Sequence, residues 1–353
     1  MLEDLYWGII WSGIGFAIVN VGFIVALVAH HYWLTSRDHL RRCVEERWKD
    51  VFSEVRWGED PSIPDRSDRE YPVLLSLWTA EFQRAECETQ KLNLIDFAGE
   101  IGLEEHVGQQ FEDLRENSDP QVVLALGYLR WEEFWEELAD LAREGNALFS
   151  VLAARAMMEI DPSLAFDDLQ SVLHERTDWP LVHLKAILDE VEMDIATRRI
   201  PDLVLGAPTD RKADLVPMLG WVRTEVARDS LRSILEEETD EEVLAAALRS
   251  FVDLAQPEDR RRVRPLLDSD AYFLRAQAAR VLGDIGNEED VDPLVERTAD
   301  SNYWVRKRAA GALASLPGMT AERLRKIRDR AEDSYAKDIL DEVINREDGP
   351  WTT

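Results

Sequence analysis

The sequence predicts an all-α protein, an α-solenoid of about eight or nine helical hairpins preceded by one transmembrane helix. Three observations support this fold class. Beyond residue 70 the apolar residues follow helical spacing, and strand-type alternation is absent. One segment matches itself at an offset of 31 residues, which is typical of repeat proteins. A long stretch near the beginning carries no charge.

The uncharged stretch covers residues 7–29, WGIIWSGIGFAIVNVGFIVALVA. About 20 apolar residues cross a bilayer core as a helix, and aromatic residues flank both ends of this stretch as they do at membrane interfaces. A cleaved signal peptide is the alternative. The preceding MLEDLY is acidic, however, where a signal peptide is positively charged. We therefore expect a short extracytoplasmic tail at 1–6 and a transmembrane helix at 7–29.

Basic residues near this stretch predict its orientation. None precedes it, whereas Arg37, Arg41 and Arg42 follow it. The positive-inside rule then places the amino terminus outside and the rest of the chain in the cytoplasm, as a single-pass inner-membrane protein. Small residues and one amide within the stretch predict a helix–helix contact, with another membrane protein or with a second copy. They are Gly8, Ser12, Gly13, Ala17, Asn20, Gly22 and Ala26.

Residues 30–57 are expected to form a juxtamembrane amphipathic helix. Val44, Trp48 and Phe52 belong to one apolar stripe with steps of three and four residues. The stripe could dock on the next domain, lie on the membrane surface or pair with a partner helix, and docking is favoured. The charged, proline-containing residues 58–70 have no periodicity and are expected to be a linker.

The repeat is clearest where residues 272–285 align with residues 303–316 at an offset of 31. Steps of 31 or 32 residues connect seven large apolar anchors: Leu126, Met157, Leu188, Leu219, Phe251, Leu282 and Leu313. The positions four before and three after each anchor are also apolar, which is one face of a helix. Each unit therefore contributes one buried helix, and stacked units bury it as a solenoid over 71–346, followed by a tail at 347–353.

The residues around these anchors resemble HEAT repeats of the short bacterial kind also seen in phycobilisome lyases. The resemblance rests on Asp268 with Leu274-Arg275, Ala278-Ala279 and Leu282-Gly283, and on Asp300 with Val305-Arg306, Ala309-Ala310 and Leu313. It is strong for 268–316 and weak before residue 120. It implies a curved binding surface, with the Asp and Arg of the motif linking units. Pro217 and Lys185 depart from the pattern, so irregular middle units are expected.

The net charge and the absence of certain motifs argue against several classes of function. The chain has 71 Asp and Glu against 41 Lys and Arg, a formal net charge of −30, so no nucleic-acid partner is expected. We find no phosphate loop, HExxH, CxxC or GxSxG motif. His106, His174 and His183 are dispersed and are interpreted as ordinary residues. No catalytic residue, metal site or cofactor is therefore expected, and we predict that the chain is not an enzyme.

The expected binding face is the side of each anchor helix that points away from the core, which lines the concave side in HEAT-like solenoids. Its candidate residues are Tyr128, Arg155, Glu159, Glu190, Trp221, Arg249, Asp253, Arg280 and Asp284. Arg and acid lie four residues apart in three of these units, which predicts i,i+4 ion pairs. The face is then either a solvated helix surface or a mixed-charge groove with an aromatic anchor at Trp221 or Tyr128.

Two further clusters carry open alternatives. Trp131, Phe134 and Trp135 are either core packing or an exposed hot spot. The basic residues of 306–308 and 323–330 are interpreted as a solvated helix surface rather than a contact for anionic lipid or an acidic partner.

These observations lead to one functional hypothesis. We expect a membrane-anchored scaffold or adaptor whose cytoplasmic solenoid binds partner proteins, in envelope polysaccharide assembly or in signalling. The alternative is a lyase-type or other enzyme-associated HEAT module that acts on a protein or a chromophore.

Overall fold

A computed structural model describes residues 39–112, 119–188 and 191–345, and within these ranges every regular element is a helix. The described chain divides into two compact units between Leu138 and Ala139. The proposed transmembrane helix at 7–29 and its seven contact residues lie outside the described residues. Among the helices that are described, none combines the length and the apolar character needed to cross a bilayer.

The described part of the first unit, which ends at Leu138, contains five helices and the start of a sixth. They are α1 (39–56), α2 (Tyr71–Gln83), α3 (Glu88–Glu100), α4 (Leu103–Glu112), α5 (Pro120–Tyr128) and α6 (Trp135–Glu144), with 3₁₀ turns at Asp68–Glu70 and Glu132–Phe134. Helix α6 crosses the division between the units. Residues 59–67, within the expected linker, have no helix or strand.

Helix α1 docks on α3 through the predicted apolar stripe. Val44, Trp48 and Phe52 are fully buried. The ring of Phe52 meets that of Phe97 on α3 edge-on, with 5.7 Å between the ring centroids. An ion pair of 2.8 Å joins Arg47 to Glu70 beside this contact. Docking, the placement that the sequence favoured, is confirmed.

The second unit, from Ala139, is a two-layer stack of helical hairpins. Its helices are α7 (Ala147–Ile160), α8 (Pro162–Glu175), α9 (Leu181–Leu188), α10 (Met193–Leu205), α11 (Thr209–Leu215), α12 (Pro217–Val222), α13 (Glu225–Glu237), α14 (Glu241–Phe251), α15 (Arg260–Val263), α16 (Tyr272–Ile285), α17 (Val291–Arg297), α18 (Tyr303–Ser315), α19 (Ala321–Arg330) and α20 (Ser334–Ile344). Three 3₁₀ turns accompany them, at Pro257–Asp259, Arg264–Asp268 and Glu288–Asp290. Helices α14, α16, α18 and α20 pack successively against one another and form one layer.

Short polar residues set where these helices begin. The side chain of Asn146 accepts hydrogen bonds from the N–H groups of Leu148 and Phe149 at the start of α7. Asp240 does the same for the first turn of α14. These side chains satisfy N–H groups that have no partner inside the helix. The helix starts therefore follow from local sequence, before any packing between units.

The anchor positions behave as the 31-residue period predicts. Six of the seven anchors are fully buried, and Leu188 is half-buried. The departures from the pattern also matter. Pro217 lacks an N–H group to continue a helix, so the expected single helix becomes α11 and α12. Lys185 occupies an exposed position on α9.

Buried carboxylates link successive units of the stack. Arg232 on α13 donates to Asp259 from Nε at 2.7 Å, and Arg264 donates to Asp290 from Nε at 2.8 Å. Neither Asp259 nor Asp290 has any exposed surface. Each also accepts a hydrogen bond from the backbone N–H three residues earlier. The HEAT resemblance implied such links for the Asp and Arg of its motif, and two motif residues, Arg275 and Asp300, do pair across successive repeats at 2.7 Å.

Candidate functional site

The residues that the structure describes form a groove of about 630 Å³ across α16 and α18. Its wall comes from the end of α14, from α16, from α18 and from α20. The lining residues are Val252, Asp253, Arg280, Gly283, Asp284, Trp304, Lys307, Arg308, Gly311, Ala312, Ala314, Ser315 and Val343. All of them belong to the second unit.

Helical spacing on α18 separates the groove from the core. The helix begins where Asn302 accepts a hydrogen bond of 2.9 Å from the N–H of Trp304. Val305, Ala309 and Leu313 are then fully buried. The opposite stripe, at steps of three and four residues, lines the groove with Trp304, Lys307, Arg308, Gly311 and Ser315. The same repeat that fixes the core therefore fixes the groove.

Small residues make the floor of the groove. A Cβ atom added at Gly283 would lie 3.0 Å from the Cα of Ala312, so α16 and α18 approach each other closely there. A Cβ atom added at Gly311 would meet no atom within 4 Å. The first glycine allows close helix packing, whereas the second leaves open space in front of the helix.

Three basic side chains line the groove. Arg280 and Arg308 are exposed, and neither forms a hydrogen bond or an ion pair within 4.0 Å with any residue that the structure describes. The Nζ of Lys307 lies 3.7 Å from a carboxylate oxygen of Glu342 on α20, in a half-exposed pair. The guanidinium groups are therefore available to an incoming anion.

Two acidic side chains, Asp253 and Asp284, lie near the carboxyl ends of α14 and α16. Burial raises the pKa of Asp284, the positive charge of Arg280 opposes this rise, and the negative charge of Asp253 adds to it. The result is a pKa above the ordinary value. The groove thus presents basic and acidic side chains together.

Two exposed aromatic rings lie at the amino ends of α18 and α20, and of these Trp304 lines the groove. Trp304 is 57% exposed, and its ring centroid lies 5.5 Å from that of Tyr303. Tyr335 is 61% exposed, and the guanidinium of Arg306 lies over its ring at 4.8 Å. Trp304 lines the groove together with Arg280 and Arg308, and tryptophan and arginine are enriched in protein interfaces.

The predicted concave-face residues fall into two groups. Asp253, Arg280 and Asp284 lie together in the groove. The predicted i,i+4 ion pairs at Arg249–Asp253 and Arg280–Asp284 do not form among the described residues. Asp253 instead pairs at 3.0 Å with Arg223, which belongs to the preceding repeat of the same compact unit. Exposed long side chains choose among several partners, and spacing along one helix does not decide that choice.

Tyr128 requires a correction. It is 3% exposed and lies in the first unit, where its ring stacks on Phe82 with 4.3 Å between centroids. Its hydroxyl accepts a hydrogen bond of 3.0 Å from Gln83. Helix α2 covers the position that spacing on α5 alone assigned to a free surface, so Tyr128 is a core residue.

The other candidates lie apart from the groove. Trp221 and Arg155 are half-buried, and Glu159 is buried. Glu190 lies outside the described residues. In the first unit, Trp131 stacks on Phe134 at 5.6 Å and Phe111 meets the same ring at 4.9 Å, which makes this cluster a packing contact.

Sequence reasoning missed Trp304 as the aromatic residue of the groove. A usable signal was present, since Trp304 lies nine residues before its anchor, one 31-residue step after Phe273. That position lies in the first turn of the anchor helix. For Lys307 and Arg308 the sequence suggested only a solvated helix surface. That interpretation suits Arg323, another basic residue of the same set, which pairs with Glu288.

No group of three or more potential metal ligands occurs among the described residues.

Comparison with known proteins connects the groove to a repeat family. Residues 228–315 and 261–344 match a family model for HEAT repeats. This segment carries HEAT repeats. The HEAT segment, residues 228–344, includes every residue that lines the groove. The match concerns HEAT repeats in general and does not distinguish the lyase type.

Two other comparisons add little. The crystal structure of an engineered protein, a structural genomics target, is similar over 86% of this chain and 97% of its own, at 15% identity and a TM-score of 0.35. A similarity at this level carries no functional information. No curated protein sequence matches the chain.

Proposed function

We propose that this chain is a scaffold that binds an extended segment of a partner protein in the groove of the HEAT segment. One observation carries the proposal. Arg280 and Arg308, without partners among the described residues, lie in the same groove as the exposed ring of Trp304. HEAT repeats commonly mediate protein–protein interaction, which supports a binding role for this surface.

The chemistry of the groove favours a segment that combines an acidic and a large apolar side chain. Desolvated arginine and tryptophan contribute most of the binding energy in many interfaces. A carboxylate between the two guanidinium groups would form charge-assisted hydrogen bonds. The volume of about 630 Å³ accommodates a few side chains rather than a folded domain.

The proposal extends to placement in the cell. The uncharged stretch at 7–29 supports a membrane anchor, with the scaffold on the cytoplasmic side. Envelope polysaccharide assembly and signalling are two settings in which such an anchored scaffold would serve. A reporter fused after Thr353, active only in the cytoplasm, tests the orientation. Activity only in a periplasmic reporter would contradict it.

Site-specific photo-cross-linking tests the binding role. A benzoylphenylalanine replaces Trp304 in the full chain, and the matched control replaces Trp57, which is 62% exposed in the first unit. We expect a cross-linked protein from position 304 that is absent from position 57. The double variant Arg280→Glu/Arg308→Glu should abolish the cross-link.

A charge-matched control uses Arg261→Glu/Arg325→Glu, two exposed arginines on α15 and α19 that do not line the groove. This variant should retain the cross-link. Equal cross-linking from both tryptophan positions, or equal loss in both double variants, would overturn the proposal.

A further inference from the structure

Five aromatic side chains lie at the amino ends of three successive helices of the HEAT segment. They are Tyr272 and Phe273 on α16, Tyr303 and Trp304 on α18, and Tyr335 on α20. All except the half-buried Phe273 are exposed. The three helices correspond at steps of 31 residues and pack side by side in one layer, so their amino ends lie at the same edge. We call these five residues the aromatic row.

The fold does not require aromatic residues at these positions. On α14, the preceding helix of the same layer, the equivalent residues are Glu241 and Glu242, both exposed. The helix dipole stabilises an acidic side chain in the first turn of a helix, and it gives no such stabilisation to an exposed aromatic ring. Binding therefore explains the aromatic row better than folding does.

The guanidinium of Arg306 sets the interval between two rings of the row. It lies 5.8 Å from the ring centroid of Tyr303 and 4.8 Å from that of Tyr335, so the two centroids lie within about 11 Å of each other. The carbonyl oxygens of Asp300 and Ser301 accept hydrogen bonds from this guanidinium at 2.9 and 3.1 Å and fix its position. Packed helices have axes about 8–10 Å apart, so we expect a similar interval from α16 to α18.

This interval matches one turn of a polyproline II helix, which contains three residues and rises about 9 Å. In that conformation every third residue lies on the same side. Prolines three residues apart would therefore meet aromatic rings on successive helices of the layer. Grooves lined by aromatic rings bind proline-rich segments in this way in several unrelated folds.

The polar groups of the row and of the adjoining groove suit the backbone and the charge of such a segment. A polyproline II segment has no internal hydrogen bonds, so its carbonyl oxygens need donors. The indole N–H of Trp304 and the hydroxyl groups of Tyr272 and Tyr335 form no hydrogen bond with any residue that the structure describes. In the groove, Arg280 and Arg308 lack a charged partner among the same residues, which favours acidic side chains in the segment.

We propose that the partner segment is an acidic polyproline II segment, with prolines three residues apart on the aromatic row and a carboxylate against Arg280 and Arg308. The inference rests on the proposed function and names the class of partner that the groove accepts. Three helices carry the row, so three turns, or about nine residues, cover it. The conformation of such a segment is largely fixed before binding, so little entropy is lost when it binds.

Binding of synthetic peptides to the purified full chain tests the proline spacing. The probe is a fluorescent nonapeptide of three Pro-Pro-Asp triplets. The matched control, Asp-Pro-Pro-Pro-Asp-Pro-Pro-Pro-Asp, has the same composition, but no side of its polyproline II helix carries three prolines. A second control replaces every proline of the probe with alanine. Fluorescence anisotropy should show that the probe binds several-fold more tightly than either control. Equal affinity for the probe and either control would overturn the inference.

Variants of the aromatic row locate the binding. Tyr272→Ala/Tyr335→Ala removes two exposed rings that do not line the groove, and the control Trp57→Ala removes an exposed ring of the first unit. The double variant should bind the probe several-fold more weakly than the wild type, whereas the control should bind it equally well. Unchanged affinity in the double variant, or the same loss in Trp57→Ala, would contradict binding at the row.

The photo-cross-link from position 304 separates this inference from the proposed function. Excess probe should suppress the partner cross-link more strongly than the peptide of the same composition does. A cross-linked partner segment without the proline period, such as an amphipathic helix, would refute the inference and leave the proposed function standing. If no partner cross-links, the proposed function fails, and the peptide affinities still decide whether the aromatic row binds a polyproline II segment.

Discussion

The guanidinium of Arg275 holds the carboxylate of Asp300 through two hydrogen bonds, Nε to Oδ2 at 2.7 Å and Nη2 to Oδ1 at 2.9 Å. The Asp300 side chain is only 4% exposed. The remaining guanidinium nitrogen of Arg275 donates to the carbonyl oxygens of Ser269 and Asp270, both at 2.8 Å. One arginine thus joins the start of its own hairpin to the turn that precedes α18, the helix that forms most of the groove.

Removal of the Asp300 carboxylate should destabilise the fold. We expect Asp300→Ala to lower the free energy of unfolding by about 2–4 kcal/mol, because the buried guanidinium loses its charged partner. The matched control is Asp268→Ala, whose side chain is 75% exposed and pairs with Arg297 at 2.8 Å. An exposed pair contributes at most about 1 kcal/mol. Urea unfolding of both variants measures the difference, and equal midpoints would contradict the structural role.

The same contact should make stability depend on pH. Burial acts to raise the pKa of Asp300, but hydrogen bonds from Arg275 and from the N–H of Asn302 outweigh it, so the pKa lies below the ordinary value. A carboxylate with a lowered pKa contributes stability above the pKa of the unfolded chain, about 3.9. That contribution is lost as the pH falls through the folded-state pKa.

The expected measurement is a difference between two curves. The unfolding free energies of the wild type and Asp300→Asn should differ by a constant amount from about pH 7 to about pH 5, and the difference should shrink below about pH 4. A difference that grows on acidification would show that Asp300 is not ionised in its folded contact with Arg275.

The sequence predicts the core of this protein better than its surface. Leu282 and Leu313 identify the period because each unit buries the same face, and burial leaves a residue little choice. Arg280 and Asp284 line the groove for a related reason, since the outward face of a helix is the complement of its buried face. Their predicted ion pair does not form, because spacing along one helix does not hold two exposed side chains together.

Tyr128 and Trp304 show a second limit on what the sequence predicts about the surface. Both are aromatic residues of an anchor helix, yet Tyr128 lies under α2 and Trp304 lies open beside a groove. The difference comes from which helix packs in front of each ring. The repeat period does not contain that information, because it describes contacts inside the stack.

Two glycines that line the groove should respond in opposite ways to alanine. Gly283→Ala forces a methyl group against the backbone of Ala312 at 3.0 Å, so we expect a loss of about 1–3 kcal/mol in unfolding free energy. Gly311→Ala meets nothing within 4 Å and should gain about 0.5–1 kcal/mol from helix propensity. Thermal and urea unfolding measure both. Stabilisation by Gly283→Ala would show that α16 and α18 are less closely packed than described.

The ionised form of Asp284 should oppose folding, in contrast to Asp300. A raised folded-state pKa means that the folded chain holds the proton more readily than the unfolded chain, so the charged form costs stability at neutral pH. We expect Asp284→Asn to raise the free energy of unfolding at pH 7 by a few tenths of a kcal/mol, a small effect because the side chain is exposed. The gain should disappear below about pH 4, where the unfolded chain is protonated as well. Asp338→Asn, at an exposed position on α20, serves as the control for the loss of a surface carboxylate. A loss of stability in Asp284→Asn at pH 7 would instead mean that the carboxylate is held by Arg280 in solution.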